Sequence, residues 1–122
     1  MNRSLLACYC LLCLTIMTGC GPSARTYSLN TDLARSSVKE AMQAWVDGKS
    51  PKDLKPRIIV SDPEWESGAK LESFEFVPND ELVDGSNLHL RVKRKLSIRG
   101  QASESTVKYI VSTSPAITIF PQ

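Results

Sequence analysis

The residues of this 122-residue chain that could do chemistry fall into a few groups. Nucleophilic catalysis needs a base beside a serine or cysteine, and the only imidazole is His89. Its neighbours alternate in polarity, which points it outward on a strand, so a Ser/His/Asp arrangement is not expected. Asp62-Pro63-Glu64-Trp65-Glu66 places three carboxylates at alternating positions. Such a set resembles the oxygen-ligand supply of a weak site for a hard cation, or the acid and base of a glycoside hydrolase. The simpler reading takes precedence: Asp-Pro initiates a turn, Trp65 folds back onto the core and the glutamates stay in water. No metal site, glycine-rich phosphate loop or cofactor is expected.

Arg91, Lys93, Arg94, Lys95 and Arg99 form the one charge cluster, with Lys108 placed to stand opposite. Arg91, Lys93 and Lys95 are the candidate anion-binding residues; their partner would be lipid headgroups, an acidic polysaccharide or an acidic protein. Against this stands a solvated sheet face, with lysines discouraging edge pairing and Glu72 or Glu75 as cross-strand partners. Arg94 breaks the alternation: between Val92 and Leu96 it should face inward, where an unpaired charge is costly. A bulge turning it outward, pairing with a carboxylate, or a pocket lined by Arg94 and Trp45 would each resolve the conflict.

The four cysteines all lie within the first 20 residues. Cys8, Cys10 and Cys13 lack the second Cys/His cluster that zinc requires and read as small hydrophobes. Arg3 is the only charge before Arg25, and Leu5 to Met17 is a run of 13 uncharged, mostly apolar residues. That run is shorter than the roughly 20 residues of a membrane-spanning helix and has the form of a secretory signal peptide. Met17-Thr18-Gly19-Cys20 resembles the lipobox of bacterial lipoproteins: an apolar residue, a small residue, Gly or Ala, then Cys. The resemblance implies a diacylglyceryl group on the Cys20 thiol, cleavage between Gly19 and Cys20, and acylation of the new amine. Met17 departs from the leucine usual there. Gly21, being other than Asp, resembles the outer-membrane address of enteric-type lipoproteins. Two or three acyl chains anchor stably where one is marginal. The expected address is therefore the bacterial cell envelope, at the outer membrane or the periplasmic face of the inner membrane, the chain held by membrane lipid through a covalent anchor.

The elements that must position these residues follow from periodicity. Residues 1–19 read as signal peptide and 20–30 as lipidated Cys and flexible tether. A single α+β domain occupies 31–122. Between Thr31 and Asp47, Leu33, Val38, Ala41, Met42, Trp45 and Val46 make one apolar stripe; Ser37 with Glu40 has the form of a capping box, Thr31 and Asp32 offer an earlier start, and Gly48 and Pro51 stop the helix. One further turn is expected at Asp53 to Lys55. Strands are expected at Arg57–Val60, Leu71–Val77, Leu88–Ile98, Val107–Thr113 and Ala116–Phe120, with Gly100 to Ser103 as a turn. In the third of these, Leu88, Leu90, Val92, Leu96 and Ile98 alternate with polar residues. The expected core is Trp45, Met42, Phe74, Phe76, Val92, Leu96, Tyr109 and Ile119.

This order predicts one N-terminal amphipathic helix packed on a 4–5-stranded antiparallel sheet. In layout alone it resembles a cystatin or a trimmed nuclear-transport-factor-2-like cone, and layout does not give function. Composition narrows the classes. The chain is 42% hydrophobic with 15 basic against 13 acidic residues, too apolar and balanced for disorder and not basic enough for a dedicated nucleic-acid binder. Its length rules out large enzyme folds such as the α/β barrel. The expected function is a non-enzymatic binding or structural module, with an envelope protein or polysaccharide as partner. The alternatives are a small-ligand pocket protein or enzyme with a cone-like fold, and an assembly subunit that pairs through an exposed strand.

Overall fold

The structure is a computed structural model that describes residues 27–122. The signal peptide, Cys20 and the tether up to residue 26 lie outside the described residues.

Helix α1 (Thr31–Val46) starts where Asn30 caps it: the side-chain oxygen accepts the Leu33 N–H at 3.0 Å. This supplies one of the partners that the first-turn N–H groups lack. The proposed Ser37–Glu40 box lies inside the helix instead. The helix ends at Gly48, whose φ of +83° only glycine adopts freely. Its buried side is Ala34, Ser37, Val38, Ala41, Met42, Ala44 and Trp45. Leu33, expected on that stripe, is 37% exposed, so the contact face is rotated by about one residue toward the alanines. The domain also begins before Thr31: Leu29 packs against the core, and the Asn30 N–H donates to Thr113 Oγ1 at 2.9 Å.

A 3-10 turn (Pro51–Leu54) leads into β1 (Ile58–Val60), α2 (Pro63–Glu66), β2 (Lys70–Phe76), β3 (Leu82–Asp84), β4 (Asn87–Ile98), β5 (Gln101–Ser112) and β6 (Ile117–Pro121). The sheet order is β1-β6-β5-β4-β2, with β3 pairing β4. β4 and β5 form the long hairpin, in unbroken register from Asn87↔Ser112 to Ile98↔Gln101. Arg99 and Gly100, both at positive φ, make its tight turn, so the chain is already a strand at Gln101, where a turn was expected to reach Ser103.

The architecture is α+β, but the expected antiparallel sheet is corrected. β1 runs parallel to β6, pairing Ile58 with Ile117; after β1 the chain passes through α2, β2 and both long strands before returning to its side. Nor is one N-terminal helix the only helical piece, since the 3-10 turn and α2 flank β1. The core includes Met42, Trp45, Val92, Leu96, Tyr109 and Ile119, as expected, together with Trp65, Leu88, Leu90 and Val111. Phe74 and Phe76 are only partly buried at its margin.

Candidate functional site: a buried arginine cluster and an open groove

Asp62 follows β1 directly and caps α2, with Pro63 at the first helical position. Its Oδ1 accepts the Glu64 N–H at 3.1 Å and the Trp65 N–H at 3.5 Å. This leaves Oδ2 facing the core. The Tyr109 hydroxyl donates to Oδ2 at 2.6 Å, and Arg94 Nη1 donates to it at 3.2 Å. Nη1 also reaches the Tyr109 oxygen at 2.9 Å. The second nitrogen, Nη2, donates to Glu64 Oε1 at 2.8 Å and to Ser105 Oγ at 3.3 Å. Arg94 is 2% exposed and Asp62 1%. The Glu64 side chain, 46% exposed, and half-buried Ser105 connect the cluster to water.

Arg94 is therefore buried and paired. The only register shift recorded in the β2–β4 ladder lies between Leu71 and Ser73, and β4 itself runs unbroken against β5, so no bulge turns Arg94 outward. Two aromatic faces complete its surroundings: the guanidinium carbon lies 5.5 Å from the Trp45 ring centroid and 5.9 Å from that of Tyr109. Trp45 stacks on Trp65 at 5.1 Å. Each indole N–H is satisfied at 2.8 Å, Trp45 by the Ala69 carbonyl and Trp65 by the Lys49 carbonyl. Arg94 Nε is buried without a partner.

Burial works against the charge on Arg94, but Tyr109 and the carboxylates of Glu64 and Asp62 outweigh it and raise its pKa. Tyr109 is pushed up, first by burial and then by the charge and hydrogen bond of Asp62, with Arg94 opposing. The phenol thus keeps its proton on the carboxylate. Chemically the cluster is an ionic clamp: it ties α2 to β4 and β5, and its phenol, carboxylates and Nη groups are turned on one another, with Nε alone left unpaired. The same geometry disposes of Asp62 and Glu64 as cation ligands, because a guanidinium already stands between them.

The candidate anion-binding residues face the opposite side of the sheet. Lys93 and Lys95 point outward into an open groove of about 680 Å³. Its other walls include Ser73, Glu75, Glu104 and Thr106. Glu75 is in register with Lys93, and Glu104 with Lys95, so each lysine has an acidic cross-strand neighbour. Arg91 is drawn away to Asp80 at 3.3 Å. A second groove of about 390 Å³ lies beside α1, between Lys39, Glu40, Asp47 and Lys49. Of the expected pocket pair, Arg94 lines the first groove, together with its partner Ser105, and Trp45 lines neither groove. His89 is on the outer face, but its side chain is only 12% exposed, with Nε2 3.8 Å from Asp84.

Sequence reasoning singled out Arg94 and Trp45 and missed their partners. Asp62 and Glu64 were visible as a carboxylate run, and Asp-Pro-Glu-Trp has the form of a capped helix start. The assignment of those carboxylates to Arg94 needed the β1-to-β4 placement. Among the described residues no group of His, Cys, Asp and Glu is arranged to hold a metal ion, and no helix is long and apolar enough to cross a membrane.

Compared with known proteins, the chain matches no family model, no curated protein sequence and no solved structure.

Proposed function

We propose that the chain is a lipid-anchored protein of the bacterial cell envelope whose domain acts as a non-enzymatic binding or structural module. The observation that carries the proposal is Met17-Thr18-Gly19-Cys20 placed directly behind the apolar run Leu5–Met17. Cys20 is the one residue there that supplies a thioether for a diacylglyceryl group, and the acyl chains hold the domain without a spanning helix. Removal of residues 1–19 takes away Arg3 and lowers the formal charge from +2 to +1. Cys20 is then the only remaining cysteine, so the domain relies on packing rather than on a disulfide. The buried cluster supports a structural role: the Tyr109 phenol, the Asp62 and Glu64 carboxylates and both Arg94 Nη groups hydrogen-bond one another.

The test is fractionation. The wild-type chain, expressed in a bacterium with lipoprotein processing, remains with membranes after a high-salt wash, and residues 20–122 with Cys20→Ser, exported behind an ordinary secretory signal, are recovered in the soluble fraction. A wild-type chain that the wash releases, or an exported Cys20→Ser chain that stays with the membranes, refutes the anchor.

A further inference from the structure

β5 is paired along its whole length with β4, but β6 covers only Tyr109–Ser112 on the other side. Main-chain groups of an antiparallel strand point alternately to the two sides. The Lys108 carbonyl faces the β6 side, where it accepts the Gln122 N–H at 2.9 Å. By alternation, the N–H and C=O groups of Ala102, Glu104 and Thr106 face that side too, beyond the point where β6 ends. Among the described residues no strand pairs with them.

Exposed edges are usually blunted by shortness, charge, proline or a bulge. β1 is three residues long and runs into Asp62-Pro63. β2 carries the register shift at Glu72 and the charges of Lys70, Glu72 and Glu75. The open part of β5, Gln101-Ala102-Ser103-Glu104-Ser105-Thr106-Val107, has a single charge, no proline, no glycine and an unbroken register. It is held in place as a template, because β4 pairs with it throughout.

We infer that two copies of this chain associate by antiparallel pairing of their open β5 edges about a two-fold axis, merging two sheets into one. The edge is complementary to itself in length and in donor–acceptor pattern, which is what an isologous contact requires. The registers sort themselves. A two-fold axis at Ser105 sets Ala102 opposite the Lys108 carbonyl already taken by Gln122. An axis at Glu104 sets that carboxylate against its own copy, and like charges directly opposite destabilise. An axis at Ser103 avoids both: Ala102 lies opposite Glu104 of the second copy, Ser105 opposite Gln101, and Thr106 opposite Gly100. Small side chains at 102, 103 and 105 let the strands approach. This inference does not rest on the lipid anchor.

Hydrogen exchange and sedimentation test it on the chain from residue 20 onward, with Cys20→Ser to exclude an intermolecular disulfide. Over about three decades of concentration up to about 1 mM, the sedimentation coefficient rises from monomer to dimer. The amides of Ala102, Glu104 and Thr106 become protected in step. Glu104→Pro removes an N–H that bonds to nothing among the described residues, so the fold is retained. It takes two donors from the dimer and weakens association by about thirtyfold. Ala102→Pro gives the same result at a second position. A chain that stays monomeric with those three amides unprotected overturns the inference, as does a dimer that both proline variants leave unchanged. Protection that needs a different envelope protein, and not a second copy, overturns it as well.

Discussion

Replacing Arg94 with methionine keeps much of its volume and removes the charge at the centre of the clamp. Asp62, 1% exposed, then loses the guanidinium contact at 3.2 Å. It keeps the Tyr109 hydroxyl at 2.6 Å and the two main-chain N–H donors of α2. Breaking one side of a buried ion pair costs about 3–5 kcal/mol. The surviving donors, and the freedom of half-exposed Glu64 to turn into water, place Arg94→Met at the lower end, about 3 kcal/mol. For a domain of roughly 100 residues that lowers the melting midpoint by about 12–24 °C. Urea unfolding followed by the fluorescence of Trp45 and Trp65 reads the loss directly, since both indoles lie inside the core. The double variant Asp62→Asn/Arg94→Met has no stranded carboxylate and recovers about 1 kcal/mol or more relative to Arg94→Met. A single variant that loses less than about 1 kcal/mol, or single effects that simply add in the double, would refute the clamp.

Other expectations follow from the same geometry. Tyr109 is held protonated in the fold, with its pKa raised. Its contribution is therefore complete below the unfolded phenol pKa of about 10 and declines as pH rises above it. In urea melts between pH 8 and about 11, Tyr109→Phe flattens that alkaline loss; an unchanged slope contradicts the assignment. At the surface, the Arg35 side chain hydrogen-bonds Glu81 and holds its carboxyl below the usual range. That contribution is present above the unfolded carboxyl pKa of about 4.3 and is lost as pH falls through the lower folded value. NMR titration of Arg35→Ala shows the Glu81 pKa rising toward its ordinary value, and a static value would remove the pair. Trp65→Phe keeps most of the stacked ring but leaves the Lys49 carbonyl without its indole donor. It costs about 1–3 kcal/mol by denaturant melt, and a neutral substitution would show that the carbonyl finds another partner.

What could be read from the sequence was what local order specifies. Strand β4 shows its alternation residue by residue, and α1 shows its stripe, so the helix and the long strand are placed to within a residue or two. The bounds failed where polarity misleads. Gln101 to Thr106 has almost no apolar residue, so a turn is expected to reach Ser103 and the strand to begin only at Val107, yet the whole stretch is a strand because pairing with β4 continues from the tight turn at Arg99-Gly100. β3, only Leu82–Asp84, is too short to show a period. The parallel contact of β1 with β6 joins residues about sixty positions apart, for which no local pattern exists. Arg94 shows the limit most clearly. Its break in the alternation announced a buried charge that needed an answer, but the answer lies in Asp62 and Glu64, which meet it only after the sheet is assembled.

The account depends most on what happens at position 20. Intact mass spectrometry of the chain isolated from bacterial membranes, with the N-terminus sequenced, addresses it directly. The account predicts a polypeptide that begins at Cys20 and carries the added mass of a diacylglyceryl group with or without a further acyl chain. A polypeptide that begins at Met1, or one with a free thiol at Cys20, would contradict it.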